Sequence, residues 1–148
     1  VEHRNTGHWF LDKQGRLQAW REWRLQLSAI DAESAYEEAA IWWKFVPLVT
    51  KTFDPWREDT WPDPWELVGA GSFCPSAQGL GIFYSLVLGG KECHLARAVV
   101  DEEVRLMVVL PGNKLLNYYD GEVTDMENLN LQILQTWAPS DLARLVKV

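Results

Sequence analysis

Apolar positions recur at helical spacing over residues 32–46. Ala32, Tyr36, Ala39, Trp43 and Val46 share one face, while Glu33, Glu37 and Glu38 lie on the others. Ser28 and Asp31 offer N-caps, and Pro47 ends the pattern. A helix is predicted here. Upstream, Trp9-Phe10-Leu11-Asp12 and Leu17-Gln18-Ala19-Trp20 flank Lys13-Gln14-Gly15-Arg16, which predicts a short hairpin with a glycine-containing turn. Pro55, Pro62 and Pro64 exclude helix and central strand until Trp65. That stretch reads as an extended connector, with a helical turn starting near Pro64.

The second half is more regular. Cys74-Pro75-Ser76 opens an apolar run through Leu88 that Gly89-Gly90 closes, the signature of a buried helix with proline in its first turn. Gly79 and Gly81 within it suit close backbone packing. Three strand-like runs follow, Cys93–Val100, Val104–Leu110 and Lys114–Tyr119, separated at hairpin lengths by Asp101-Glu102-Glu103 and Pro111-Gly112-Asn113. Met126–Leu134 reads as helix or turn, and Pro139-Ser140-Asp141 caps a last short helix, Leu142–Val146. The fold class expected is α+β: a buried helix packed on a small antiparallel meander, with an N-terminal hairpin-plus-helix arm. Residues 1–60 form the arm and connector in this reading, and 61–148 the core with its C-terminal helix.

Composition sharpens this picture. Of 148 residues, 47% are hydrophobic, enough for a buried core. The net charge of -7, with no Lys/Arg run, argues against nucleic-acid binding by charge. No window approaches the ~18 apolar residues of a membrane span, and no apolar leader opens the sequence. Cys74 and Cys93 do not make a disulfide scaffold, so assembly in a cytosol is expected. No cofactor is expected and no metal, because Cys93 and His94 are adjacent in a strand and face opposite ways. Eight of nine tryptophans lie in the first 65 residues. Trp9, Trp20, Trp23 and Trp56 are expected nearest a partner, and Trp43, Trp61 and Trp65 buried within the chain.

Cys74 is the candidate for chemistry. A helix N-terminus presents free N–H groups and partial positive charge, which stabilise a thiolate. The order helix, strand, strand, strand after Cys74 resembles a reduced transglutaminase-like (papain-like) core over Cys74–Val123. That resemblance implies a histidine base opening the second strand and an aspartate ending the third. Asp120 matches the aspartate, but Val104 or Arg105 stands at the base position, and arginine stays protonated. His3 and His8 lie in the arm, and His94 at the other end of its strand, roughly 23 Å away at strand rise. Cys74 and Asp120 are therefore a site only if another base is supplied.

A second resemblance is carried by Trp61-Pro62-Asp63-Pro64-Trp65-Glu66-Leu67, Phe73-Cys74, Leu80-Gly81-Ile82-Phe83-Tyr84-Ser85-Leu86 and Leu116-Asn117-Tyr118. In that order they resemble a family of small proteins encoded by tailed bacteriophages among genes for virion structure. The resemblance implies a tail, baseplate or neck component assembled in the host cytoplasm, packing against other virion proteins and copies of itself. The alternatives are a cysteine hydrolase or acyltransferase with Cys74 as nucleophile, and a cytosolic assembly factor.

Overall fold

A computed structural model describes residues 7–146. Helix α1 (Lys13–Ser28) follows a 3₁₀ turn, Gly7–Phe10. The hairpin expected over residues 9–20 is therefore corrected. Asp12 caps the first turn, its side chain accepting from the Gly15 N–H at 2.8 Å. Leu17, Trp20, Trp23 and Leu27 then fall on one helical face. Helix α2 (Ala32–Lys44) is capped by Asp31 and stops just short of Pro47, as its periodicity predicts. Helix α3 (Pro64–Ala70) starts at the expected proline inside a reciprocal cap between Asp63 and Glu66. Helix α4 (Pro75–Leu88) is the buried helix.

Strands β1 (His94–Val100), β2 (Glu103–Leu110) and β3 (Lys114–Leu116) form the expected antiparallel meander. Two more strands complete an antiparallel five-stranded sheet in the order β4-β3-β2-β1-β5: β4 (Val123–Asp125) and β5 (Gln132–Trp137). Of the helix or turn expected over 126–134, a turn forms at Glu127-Asn128, and β5 takes the end of the span from Gln132. Its pairing with β1 shifts between Arg97 and Ala98, so that Leu134 is the extra residue. Such a bulge breaks the period-two alternation that marks a strand in sequence. A 3₁₀ turn (Pro139–Leu142) and α5 (Ala143–Val146) close the described chain. Among the described residues, no helix is long and apolar enough to cross a membrane.

The sheet carries a cluster on each face. One face packs on α4 through Leu95, Leu106 and Val108, within the main core. The other buries Ala98, Val100, Met107 and Leu115 beneath Met126, Leu129 and Leu131 of the β4–β5 connection. The main core takes side chains from both sides of residue 60, from Trp9 through to Val146.

The tryptophan assignment is corrected in part. Trp9, Trp20 and Trp23 are buried within their own chain rather than presented to a partner. Trp9 packs on Trp43 and Phe73 at ring distances of 4.9 and 5.1 Å, and Trp23 stacks on Trp42 at 4.5 Å. Ser85 Oγ accepts the indole N–H of both Trp20 (3.0 Å) and Trp43 (3.1 Å), and donates to the Gly81 carbonyl. One hydroxyl thus satisfies the polar ends of two rings drawn from different helices. Trp43 and Trp61 are buried as expected, whereas Trp65 is 44% exposed and Trp56 53%.

Candidate functional site

Cys74 is the N-cap residue of α4, in extended conformation, with Pro75 opening the first turn. The helix start is fixed against β2 by close packing and by two polar links. A Cβ on Gly79 would stand only 2.1 Å from the Leu106 carbonyl oxygen, so glycine is what lets the helix lie this near the strand. Ser76 Oγ accepts from the Leu106 N–H at 3.3 Å. Asn117 Nδ2 donates to the carbonyls of Pro75 (2.8 Å) and Leu106 (2.9 Å), tying helix and strand with one amide.

A separate segment lies over the thiol. The Val49 N–H bonds the Phe73 carbonyl at 2.7 Å, and the Phe73 N–H bonds Pro47 at 3.0 Å. This short parallel bridge carries the following residues across the helix start, placing Thr52 Oγ1 3.2 Å from Cys74 Sγ. Cys74 is only 3% exposed. Burial works against its thiolate. Hydrogen bonds from the Thr52 hydroxyl and from the backbone N–H groups of Thr52, Ala77 and Phe53 outweigh it, holding the thiol below its ordinary pKa. Cys93 is the contrast: burial first, then nearby Glu92, push its thiol up to about 12.

Cys74 lines a cleft of about 390 Å³, whose walls include Phe53, Pro55, Trp56, Glu103, Val104 and Arg105. The strand face decides what meets the thiol. Leu106 and Val108 of β2 point to the α4 side, and Met107 to the other. Alternation therefore puts Val104 on the α4 side, and Glu103 and Arg105 on the opposite face. Arg105 Nη1 reaches the Asn117 carbonyl at 3.4 Å. Val104 shares the cleft with Cys74 and carries no group that takes up a proton; Glu103 and Arg105 reach the cleft rim from the other face of the strand.

The other expected partners do not converge. Asp120 is exposed in the turn after β3 and does not line the cleft. β3 ends at Leu116, and Asn117 takes a left-handed conformation (φ 72°) that turns the chain away before residue 120. His94 pairs with Val109, at the end of β1 opposite Val100, as its position predicts. His8 is buried and stacks on Trp42 at 3.8 Å. His3 lies outside the described residues. Thr52 and Asn117 were not anticipated from sequence. The run Leu116-Asn117-Tyr118 marked Asn117 only by resemblance, and Thr52 carries no local signal. Among the described residues, no group of His, Cys, Asp and Glu is arranged to hold a metal ion.

The fold and site define an α+β protein with a hydrogen-bonded cysteine at the start of a buried helix, packed on an antiparallel sheet. Its fold is similar to that of Legionella pneumophila LapG. One solved LapG structure superposes with a TM-score of 0.71 at 14% identity, over 86% of this chain and 75% of that one. An EGTA-treated LapG structure gives 0.68 at 15% identity, over 88% and 80%. At such identities the likeness is one of fold. No family model matches the chain, and no curated protein does.

Proposed function

We propose that this chain is a cysteine hydrolase or acyltransferase on a transglutaminase-like fold, with Cys74 as nucleophile. The observation that carries the reading is the Cys74 thiol itself. It sits at a helix start on the wall of an open cleft, with a hydroxyl and backbone N–H groups stabilising its ionised form. The thiolate sulfur bonds to the acyl carbon, and the bond to the leaving group breaks. The resulting thioester passes its acyl group to water or to a second nucleophile. Asp120 has no part in this reading, and Asn117 positions the helix start instead.

The two LapG structures described above share this fold, which supports this reading over a packing role. Packing within a tailed-phage virion rests on the sequence resemblance. Burial of Trp9, Trp20 and Trp23 withdraws the aromatic docking arm that argued for it. The test is iodoacetamide labelling of the folded chain at neutral pH, located by peptide mass. Rapid labelling at Cys74, abolished in Cys74→Ser, is expected. A thiol that reacts no faster than free cysteine refutes the reading.

A further inference from the structure

Cys74 lines the cleft, yet it is only 3% exposed. A carbonyl carbon must come within about 3–3.5 Å of the sulfur to be attacked. A small reagent can enter the cleft of about 390 Å³, but an acyl group carried on a larger molecule meets the segment that lies over the thiol. That segment runs from Val49 to Trp56. Between the Leu48 bridge and the 3₁₀ turn Glu58–Thr60 it holds neither helix nor strand. It meets the thiol directly, with Thr52 Oγ1 3.2 Å from Sγ and the Thr52 and Phe53 N–H groups bonded to the sulfur. The donors that hold the thiolate are thus largely the groups that cover it.

The far end of the segment is fastened to the sheet and to the core. Arg97 of β1 donates from Nη1 to the Pro55 carbonyl at 3.2 Å, and from Nη2 to Gln135 Oε1 at 2.8 Å. Its guanidinium lies 4.6 Å from the Trp56 ring centre and 5.3 Å from that of Trp137. Trp61 Nε1 donates to the Asp54 carbonyl at 2.9 Å, and half-buried Phe53 packs near the Trp61 ring. The Arg97 side of this fastening is the weaker one. Trp56 is 53% exposed, and a cation over an exposed ring is held loosely. Arg97 Nε is buried without a hydrogen-bond partner, which raises the energy of the closed arrangement. Segments with few buried contacts and no regular structure are the ones that open locally in a folded protein.

Resting on the nucleophile reading above, we infer that residues 49–56 form an autoinhibitory strap over Cys74, clasped by Arg97 at Pro55 and Trp56. Small reagents reach the sulfur through the cleft. A bulky acyl donor reaches it only when Pro55 and Trp56 leave the guanidinium and the strap lifts. Arg97 is a positioning residue in this scheme: it touches neither the sulfur nor the cleft lining, and it sets how often the nucleophile is open.

The experiment times alkylation of Cys74 in the full chain by iodoacetamide and by iodoacetamidofluorescein, which share one reacting carbon, each rate being divided by that of free cysteine. In the parent the bulky reagent lags well behind the small one. Arg97→Met keeps the aliphatic stem and removes the clasp. It speeds bulky labelling about tenfold and leaves the iodoacetamide rate unchanged, and Arg97→Lys, which keeps a charge over the ring, falls between. Amide hydrogen exchange quickens over residues 49–56 in Arg97→Met and stays slow in α4, which a general loosening of the fold does not give. If Arg97→Met exchanges fast throughout, Trp56→Leu, which opens the same clasp from its exposed side, takes its place, and exchange over 49–53 is the readout. Equal relative rates for the two reagents in the parent overturn the strap, as does a clasp variant that folds and changes neither the ratio nor the exchange. In both cases rapid iodoacetamide labelling leaves Cys74 standing as nucleophile. Iodoacetamide labelling no faster than that of free cysteine, in parent and clasp variant alike, removes the underlying reading.

Discussion

Thr52 Oγ1 stands 3.2 Å from Cys74 Sγ, although the two residues belong to different segments joined only through a short parallel bridge. Thr52→Val keeps the side-chain shape and removes the hydroxyl. The Cys74 thiol then rises, because a donor to the thiolate is lost. The pH profile of iodoacetamide labelling shifts to higher pH than in the parent chain. The sign carries over to stability. A thiol lowered on folding stabilises the fold above its unfolded pKa, and that contribution is lost as pH falls through the folded value. Thr52→Val therefore shows a weaker rise of unfolding free energy across that window, read by urea denaturation.

Cys93 behaves in the opposite sense. Its folded thiol is pushed up to about 12, so the unfolded chain ionises first as pH rises. Its contribution is complete below the unfolded value and is lost as pH climbs towards 12, at about 1.4 kcal/mol per unit. Cys93→Ala removes that component of alkaline destabilisation, measurable as the difference between the two urea series. In the native parent chain, Cys93 stays unlabelled under conditions that alkylate Cys74.

Val104→His places an imidazole in the cleft that Cys74 lines. The variant gains amide cleavage by roughly 10²–10⁴ over the parent, and its labelling profile acquires an inflection near the ordinary histidine range of about 6.5. Release of amine from a simple N-acyl amide checks the first, and labelling between pH 5 and 8 the second.

Ser85→Ala deletes the oxygen shared by the Trp20 and Trp43 indoles. Both N–H groups lose their partner in a dry interior, a loss of roughly 2–4 kcal/mol. Chemical denaturation followed by tryptophan fluorescence measures it.

Asn117→Asp exchanges an amide donor for a carboxylate aimed at the Pro75 and Leu106 carbonyls. The helix start is repelled instead of tied. A stability loss of roughly 1–3 kcal/mol is expected, accompanied by slower labelling of Cys74. Asn117→Ala, which removes the tie without adding charge, lies between the two in both measurements.

The buried helix and the first three strands were legible because their signals are local. Pro75 at the first turn, glycines after Leu88 and short polar breaks between apolar runs each mark an end. α1 was misread because Lys13-Gln14-Gly15-Arg16 has turn-like composition, and only the Asp12 cap and the spacing from Leu17 to Leu27 declare a helix. β5 was hidden by its bulge. At the site, Cys74 and the lack of a histidine at Val104 or Arg105 were readable from element order. Thr52 and Asn117 were not, because Thr52 meets Cys74 across 22 residues of chain and Asn117 acts from a left-handed turn at the end of β3. The tryptophan excess is visible as a count, but which rings face inward depends on helix phase, which a hairpin reading of residues 9–20 does not supply.

The shared Ser85 oxygen also fixes an order of events during synthesis. Trp20 lies 65 residues before its acceptor and Trp43 lies 42 before it. Neither ring has its native partner until α4 has left the ribosome. α1 and α2 therefore emerge as aromatic-rich helices with their apolar faces open, at a stage when nascent chains are most prone to associate.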